Sequence, residues 1–154
     1  MKRNRHKSFI LAGDIGGTKT NLALFNPGRQ RPRLRAAAKF PSRESSDLES
    51  IVAGFIQRHD AIVEAACFGV AGPVVKGVSH VTNLPWVVSR ERLEKRFKWN
   101  LVSVVNDLTA MAMAVPRLQS RDVHALNQAR IRKSENMALV APGTGLGQAL
   151  LVYR

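Results

Sequence analysis

The sequence predicts an α/β domain on a mixed sheet that opens as an antiparallel three-strand meander with helices packed on it. Three observations carry that expectation. Short apolar, β-prone runs follow one another closely at the start, amphipathic stretches alternate with such runs further on, and an apolar run, glycine turn, apolar run layout occurs twice. The chain has 154 residues, 45% of them hydrophobic, enough to bury one ordinary core.

Ser8 to Gly13 and Lys19 to Phe25 read as strands joined by a glycine turn, and Leu34 to Phe40 as a third strand after the turn Asn26-Pro27-Gly28. From Asp47 to Gln57, Leu48, Ile51, Val52, Phe55 and Ile56 recur at helical spacing, which gives an amphipathic helix against that sheet. Ala65 to Val75 reads as a buried strand running into Gly72-Pro73. Ser89 is placed to cap a helix through Phe97. Leu101 to Val105 is a further strand ending at Asn106-Asp107, and Leu108 to Val115 a helix stopped by Pro116. After a polar, basic connection, Ala138 to Tyr153 repeats the opening layout. The expected organisation is a basic tail over residues 1–7, a domain over 8–135 and the first hairpin of a second domain over 136–154.

The formal net charge is +13. The tail MKRNRHK resembles the head of a signal peptide, but the apolar stretch Phe9 to Ala12 is too short to complete one, and no run reaches transmembrane length. A cytoplasmic protein with no membrane partner is expected. Arg29, Arg31, Arg33 and Arg35 alternate, so an extended segment would carry all four on one face. Such a stripe suits nucleic acid or anionic lipid, and equally a charged edge strand that resists edge pairing. No aromatic residues stand nearby to stack on bases, which disfavours nucleic acid. The single Cys67 excludes an intrachain disulfide, suits a reducing compartment and is expected as a small buried core thiol. His6, His59, His80 and His124 show no metal-ligand spacing.

The chemistry lies in the turns. Glycines at a strand-to-strand turn let backbone N–H groups converge on an anion, and a threonine hydroxyl adds a donor. In "LAGDIGGTKTNLALF" an aspartate precedes that turn. A carboxylate repels phosphate unless a divalent cation lies between them, so Asp14 is expected to hold magnesium through water, and the ligand to be a magnesium nucleotide. Two other phosphate motifs fail. Lys19-Thr20 has the closing dipeptide of a P-loop, but a β-prone segment follows instead of a helix; Gly143 and Gly145 open a dinucleotide fingerprint, but Gln148 stands where it needs glycine or alanine.

"GDIGGTKTNLALF", "GVAGPVVKGVSHVTNLPW", "VVNDLTAMAMAVP" and "APGTGLGQALLV" occur in the order and at the approximate spacing found in bacterial glucokinases. Together these motifs resemble that family, within the actin, heat-shock-chaperone and sugar-kinase superfamily, over nearly all of the chain after the basic tail. The resemblance implies a ribonuclease H-like, actin-like ATPase fold. It implies that Gly13, Asp14, Ile15, Gly16, Gly17 and Thr18 form a first phosphate loop for ATP with Mg2+, and Gly143, Thr144 and Gly145 a second. It makes Asp107 the base that accepts the proton of the glucose 6-hydroxyl, with Asn106 bonding sugar hydroxyls. An Asn-Asp pair before a helical run also suits a plain helix cap. Thr82 and Asn83 line the sugar side or form a turn, and Trp86 reads as core.

The family continues well past the second phosphate loop, so the chain corresponds to an N-terminal portion, expected to be inactive alone and to self-associate through its last hairpin. Two other readings stay open. One is a sugar kinase or sugar-responsive regulator of the repressor, open-reading-frame and kinase group, which shares "DIGGTK"; the other is a basic, non-catalytic binding module. Polyphosphate fits a paired phosphate grip as well as ATP does.

Overall fold

The computed structural model describes residues 8–28, 31–127, 135–142 and 146–153. The chain divides into two compact units, Met1–Asp107 and Leu108–Arg154. In the first, β1 (Ser8–Ile15), β2 (Lys19–Asn26) and β3 (Arg33–Pro41) form the expected antiparallel meander, and β4 (Ile62–Val70) and β7 (Val102–Asn106) extend it by parallel pairing. The strand order is β3-β2-β1-β4-β7, a mixed sheet. Two short strands that the sequence pattern does not announce, β5 (Val78–His80) and β6 (Val87–Ser89), pair with each other apart from it.

Period-two alternation sends Leu11 and Ile15 of β1, Leu22 and Leu24 of β2, and Phe68 and Val70 of β4 to one face, where all are fully or almost fully buried. Helix α1 (Leu48–Arg58) lays Leu48, Ile51, Val52 and Phe55 into the same cluster, and α2 (Arg90–Phe97) adds Leu93. Each such side chain contributes about 1.5–3 kcal/mol by leaving water. Trp86 joins this core, its indole N–H donating to the Ser45 carbonyl (3.2 Å). The helices are tied by charge as well: Arg92 Nη2 lies 3.0 Å from Oε1 of the buried Glu49. Removing that arginine would leave a buried carboxylate without its counter-charge.

The strand expected to run to Val75 stops at Val70, because Ala71-Gly72-Pro73 turns the chain away and Gly72 takes a φ of +151°. The arginine stripe is also corrected. Arg29 lies outside the described residues, Arg31 precedes β3, and a register shift places Arg35 as the extra residue between Leu34 and Ala36, so the alternation is broken. What remains is a charged, bulged edge strand, a form that discourages edge-to-edge pairing. Cys67 is corrected too. It is exposed on the opposite sheet face, while partial burial of its thiol raises the pKa and disfavours thiolate.

In the second unit, α3 (Asp107–Ala114) continues from the boundary, and β8 (Met137–Pro142) pairs with β9 (Leu146–Leu151) as an isolated hairpin. Val140, Leu146 and Leu150 are more than half exposed on it.

Asp47 caps α1, its Oδ1 accepting from the Ser50 N–H at 2.8 Å. Hydrogen bonding from the Ser50 side chain is the largest influence on this carboxyl; with the Ser50 backbone, Ser46 and the charge of Arg92, it outweighs burial and holds the pKa below the usual carboxylate range. A depressed folded-state pKa adds stability above the unfolded value that is lost as pH falls through the folded one. Asp47→Ala is expected to cost about 1 kcal/mol at neutral pH. Urea unfolding at a series of pH values should show the gap to wild type closing on the acid side; a constant gap would mean that the carboxylate charge is irrelevant to the cap.

Candidate active site

Three parallel strands end level. Ile15 of β1 pairs with Val70 of β4, which pairs with Asn106 of β7. The segments that follow them, the glycine turn, Ala71-Gly72 and Asp107, therefore leave the sheet at one edge, the place where open α/β sheets build their sites. A backbone bond from Ala71 N–H to the Ile15 carbonyl (2.9 Å) joins the first two segments directly.

Asp14 sits one residue before that edge, exposed on the face opposite the core. Asn21 stands across from it in β2 and donates Nδ2–H to Asp14 Oδ2 (2.9 Å); Lys39 continues the row in β3. The row borders a groove of about 450 Å³ lined otherwise by small and apolar residues such as Ala12, Ala23, Phe25 and Ala37. An oriented, solvated carboxylate of this kind suits a hard cation held through water. No cluster of three metal-ligating side chains occurs among the described residues.

Of the six residues expected in the first phosphate loop, Gly13, Asp14 and Ile15 belong to β1, and the Ile15 side chain is fully buried core. Gly16, Gly17 and Thr18 make the turn itself, closed by Gly16 N–H donating to the Lys19 carbonyl (3.0 Å). Two of the glycines have reasons that local sequence does not reveal. A Cβ on Gly13 would stand 2.5 Å from the Phe68 ring, and one on Gly17 2.4 Å from the Thr82 carbonyl oxygen.

Thr82 and Asn83 form an exposed turn between β5 and β6, with Asn83 left-handed at φ +65°. The Thr82 hydroxyl donates to the Ala71 carbonyl (3.2 Å), so this turn touches both the glycine turn and the segment after β4. Asn106 Nδ2 donates to the Gly72 carbonyl (3.0 Å) and to Asp107 Oδ1 (2.9 Å). One amide thereby anchors itself on the loop after β4 and orients the neighbouring half-buried carboxylate. Gly143, Thr144 and Gly145 lie outside the described residues, between the strands β8 and β9. Sequence reasoning passed over Gly72, whose carbonyl anchors Asn106, and Ser42, which follows β3 and contacts the glycine turn; a lone serine after a proline carries no local signal.

The two kinds of glycine separate in a stability experiment. Gly17→Ala forces backbone apart at Thr82 and is expected to cost about 1–3 kcal/mol. Gly54→Ala, inside α1 with nothing within 4 Å of its added Cβ, is expected to stabilise by about 0.5–1 kcal/mol. Urea denaturation of both variants checks this, and effects of the same sign would refute the close approach at Gly17.

The glucokinase family model matches residues 11–154. The chain is 35% identical over 147 residues to the glucokinase of Nostoc punctiforme, covering 94% of this chain and 43% of that protein. It is 36% identical over 154 residues to the glucokinase of Synechocystis sp., at 93% and 43% coverage. Among solved structures, a glucokinase from an Antarctic psychrotroph superposes with a TM-score of 0.87 at 31% identity, over 95% of this chain and 47% of that one. A ROK family glucokinase from Streptomyces griseus, solved with glucose and AMPPNP, shares the fold at a TM-score of 0.64 and 22% identity, over 95% of this chain and 45% of that one. The chain spans less than half the length of these relatives. With the family model matched over nearly all of it, the chain belongs to the glucokinase family.

Proposed function

We propose that this chain carries the sugar-binding carboxylate and the first phosphate loop of an ATP-dependent glucokinase, the enzyme that phosphorylates glucose at its 6-hydroxyl, on an actin-like ATPase fold. The observation that supports this most is the common end of β1, β4 and β7, which sets the glycine turn and the pair Asn106-Asp107 at the same end of the sheet with β4 between them. Phosphoryl transfer passes through a loose transition state, so alignment and charge stabilisation do most of the work. Asp107, oriented through Asn106, accepts the proton of the attacking hydroxyl. Asn106 positions that carboxylate and offers hydrogen bonds to neighbouring sugar hydroxyls, with Thr82 and Asn83 at the side. Glucose bound to the Streptomyces enzyme makes it the favoured acceptor here.

The residues present fit ATP with Mg2+: Asp14 is exposed and oriented by Asn21, and the turn 16–18 presents backbone without side-chain bulk at Gly16 and Gly17. Magnesium, when bound, neutralises phosphate charge. Asp14 would hold it through water, and Gly143, Thr144 and Gly145 would grip the nucleotide from the second phosphate loop. A cytoplasmic location goes with this reading. No described helix is long and apolar enough to cross a membrane.

Closing a cleft around both substrates supplies several kcal/mol of barrier reduction, and the Nostoc relative is more than twice the length of this chain. The chain alone is therefore expected to release ADP at background rate when given glucose and magnesium ATP. A chimera that continues past Arg154 with the rest of the Nostoc enzyme should turn over, and Asp107→Asn in it should lower kcat by about 10²–10⁴-fold. A coupled ADP assay measures all three; an Asp107→Asn chimera as fast as its parent would refute the role of this carboxylate.

The hairpin β8–β9 leaves its strand edges unpaired among the described residues and exposes Val140, Leu146 and Leu150. Self-association through it is expected. Because each copy carries a charge of +13, association should strengthen as salt screens repulsion. A single monomeric boundary in sedimentation velocity, at high protein concentration and high salt, would refute it.

A further inference from the structure

The glycine turn is held from its buried side by a residue that lies outside it. Ser42 follows β3 at the start of a 3₁₀ turn, Ser42–Glu44, and is completely buried. Its N–H donates to the Thr18 carbonyl (3.0 Å) and its hydroxyl to the Gly16 carbonyl (2.9 Å). Its oxygen also lies 2.9 Å from Oγ1 of Thr20, itself completely buried in β2. A serine hydroxyl has one proton to give. With that proton on Gly16, Thr20 must donate to Ser42, and the three groups form one directed chain from the Thr20 hydroxyl through the Ser42 hydroxyl to the Gly16 carbonyl. Bonds in such a chain polarise one another, and in a dry site a broken link leaves a costly orphan.

On its other side the turn abuts Thr82, whose carbonyl oxygen stands where a Cβ of Gly17 would be. Gly-Gly segments lose the most conformational entropy when ordered. The hydroxyl chain beneath and the Thr82 carbonyl beside the turn are what hold it in one shape.

We propose that Ser42 is a positioning residue whose hydroxyl fixes the conformation of Gly16-Gly17-Thr18 before any ligand arrives, and so sets the affinity of that turn for the phosphates of a magnesium nucleotide; the second half of this inference rests on the phosphate reading above. Donors that are already arranged cost nothing to reorganise when an anion binds.

Two variants of this chain test it by amide hydrogen exchange and by titration with magnesium ATP, both followed by NMR. Ser42→Ala keeps the backbone bond to Thr18, removes the donor to Gly16 and orphans the Thr20 hydroxyl. Ser42→Ala combined with Thr20→Val removes the orphan as well, so its urea midpoint should return towards wild type. In both variants the Gly16 amide should exchange about tenfold faster relative to the Leu22 and Leu24 amides of β2, the equivalent of one lost hydrogen bond. In the double variant the magnesium ATP affinity read from the 16–18 amides should fall by a similar factor. Exchange at Gly16 that never departs from wild type, or that recovers in the double variant together with the midpoint, would overturn the proposal and leave the two hydroxyls as core packing. A wild-type turn whose amides do not respond to magnesium ATP would overturn the phosphate half, while the exchange rates still decide whether Ser42 sets the shape of the turn.

Discussion

The candidate site depends on the register of three parallel strands. Ile15, Val70 and Asn106 are neighbours across β1, β4 and β7, and the glycine turn, Ala71-Gly72 and Asp107 each leave the sheet directly after one of them. Side chains alternate with a period of two, so a one-residue slip of β1 would turn Asp14 into the core and bring Ile15 out to solvent. The fully buried row of Leu11, Ile15, Phe68 and Val70 forbids that slip. Packing on one face thus sets the address of a carboxylate on the other.

Close approach of backbone makes the second constraint. Gly13 is flat against the Phe68 ring and Gly17 against the Thr82 carbonyl, so both positions exclude a side chain whatever ligand the turn meets. The same contacts link the turn to its surroundings. Thr82 reaches the Ala71 carbonyl, Ala71 reaches Ile15, and Gly72 anchors Asn106, which orients Asp107. The phosphate side and the acceptor side of the proposed reaction are connected through four short backbone segments rather than through one long element. Hydrogen bonds of this kind are each modest in net stability, but they restrict geometry, which is what phosphoryl transfer demands.

The surface is explained less by ligands than by edges. Arg33 and Arg35 decorate β3, the outer strand of the sheet, and the bulge at Arg35 interrupts the regular ladder a second strand would need. Among the described residues the hairpin β8–β9 pairs only with itself and carries no charged side chain in its strands, with apolar residues outward on a two-stranded sheet.

Local pattern in the sequence determined the meander, the amphipathic helices with the cap at Ser89, the strand leading to Asn106-Asp107, and the first glycine turn, because each is written in residues adjacent in the chain or one helical turn apart. It also carried the family, through motifs that keep their order. Tertiary structure alone decided the rest. Cys67 looked like a core residue, yet alternation from a bulge at Glu64 of its own strand, the extra residue between the partners of Phe9 and Ile10, turns it to the open face. The end of β4 at Val70 follows from Gly72 rather than from the apolar run that continues to Val75. Thr20 lies in β2 and Ser42 in the turn directly after β3, 22 positions apart, and their hydroxyl chain exists only once β2 and β3 have paired. Chemistry between distant residues has no periodicity to read, so it becomes visible only when burial and distance are known.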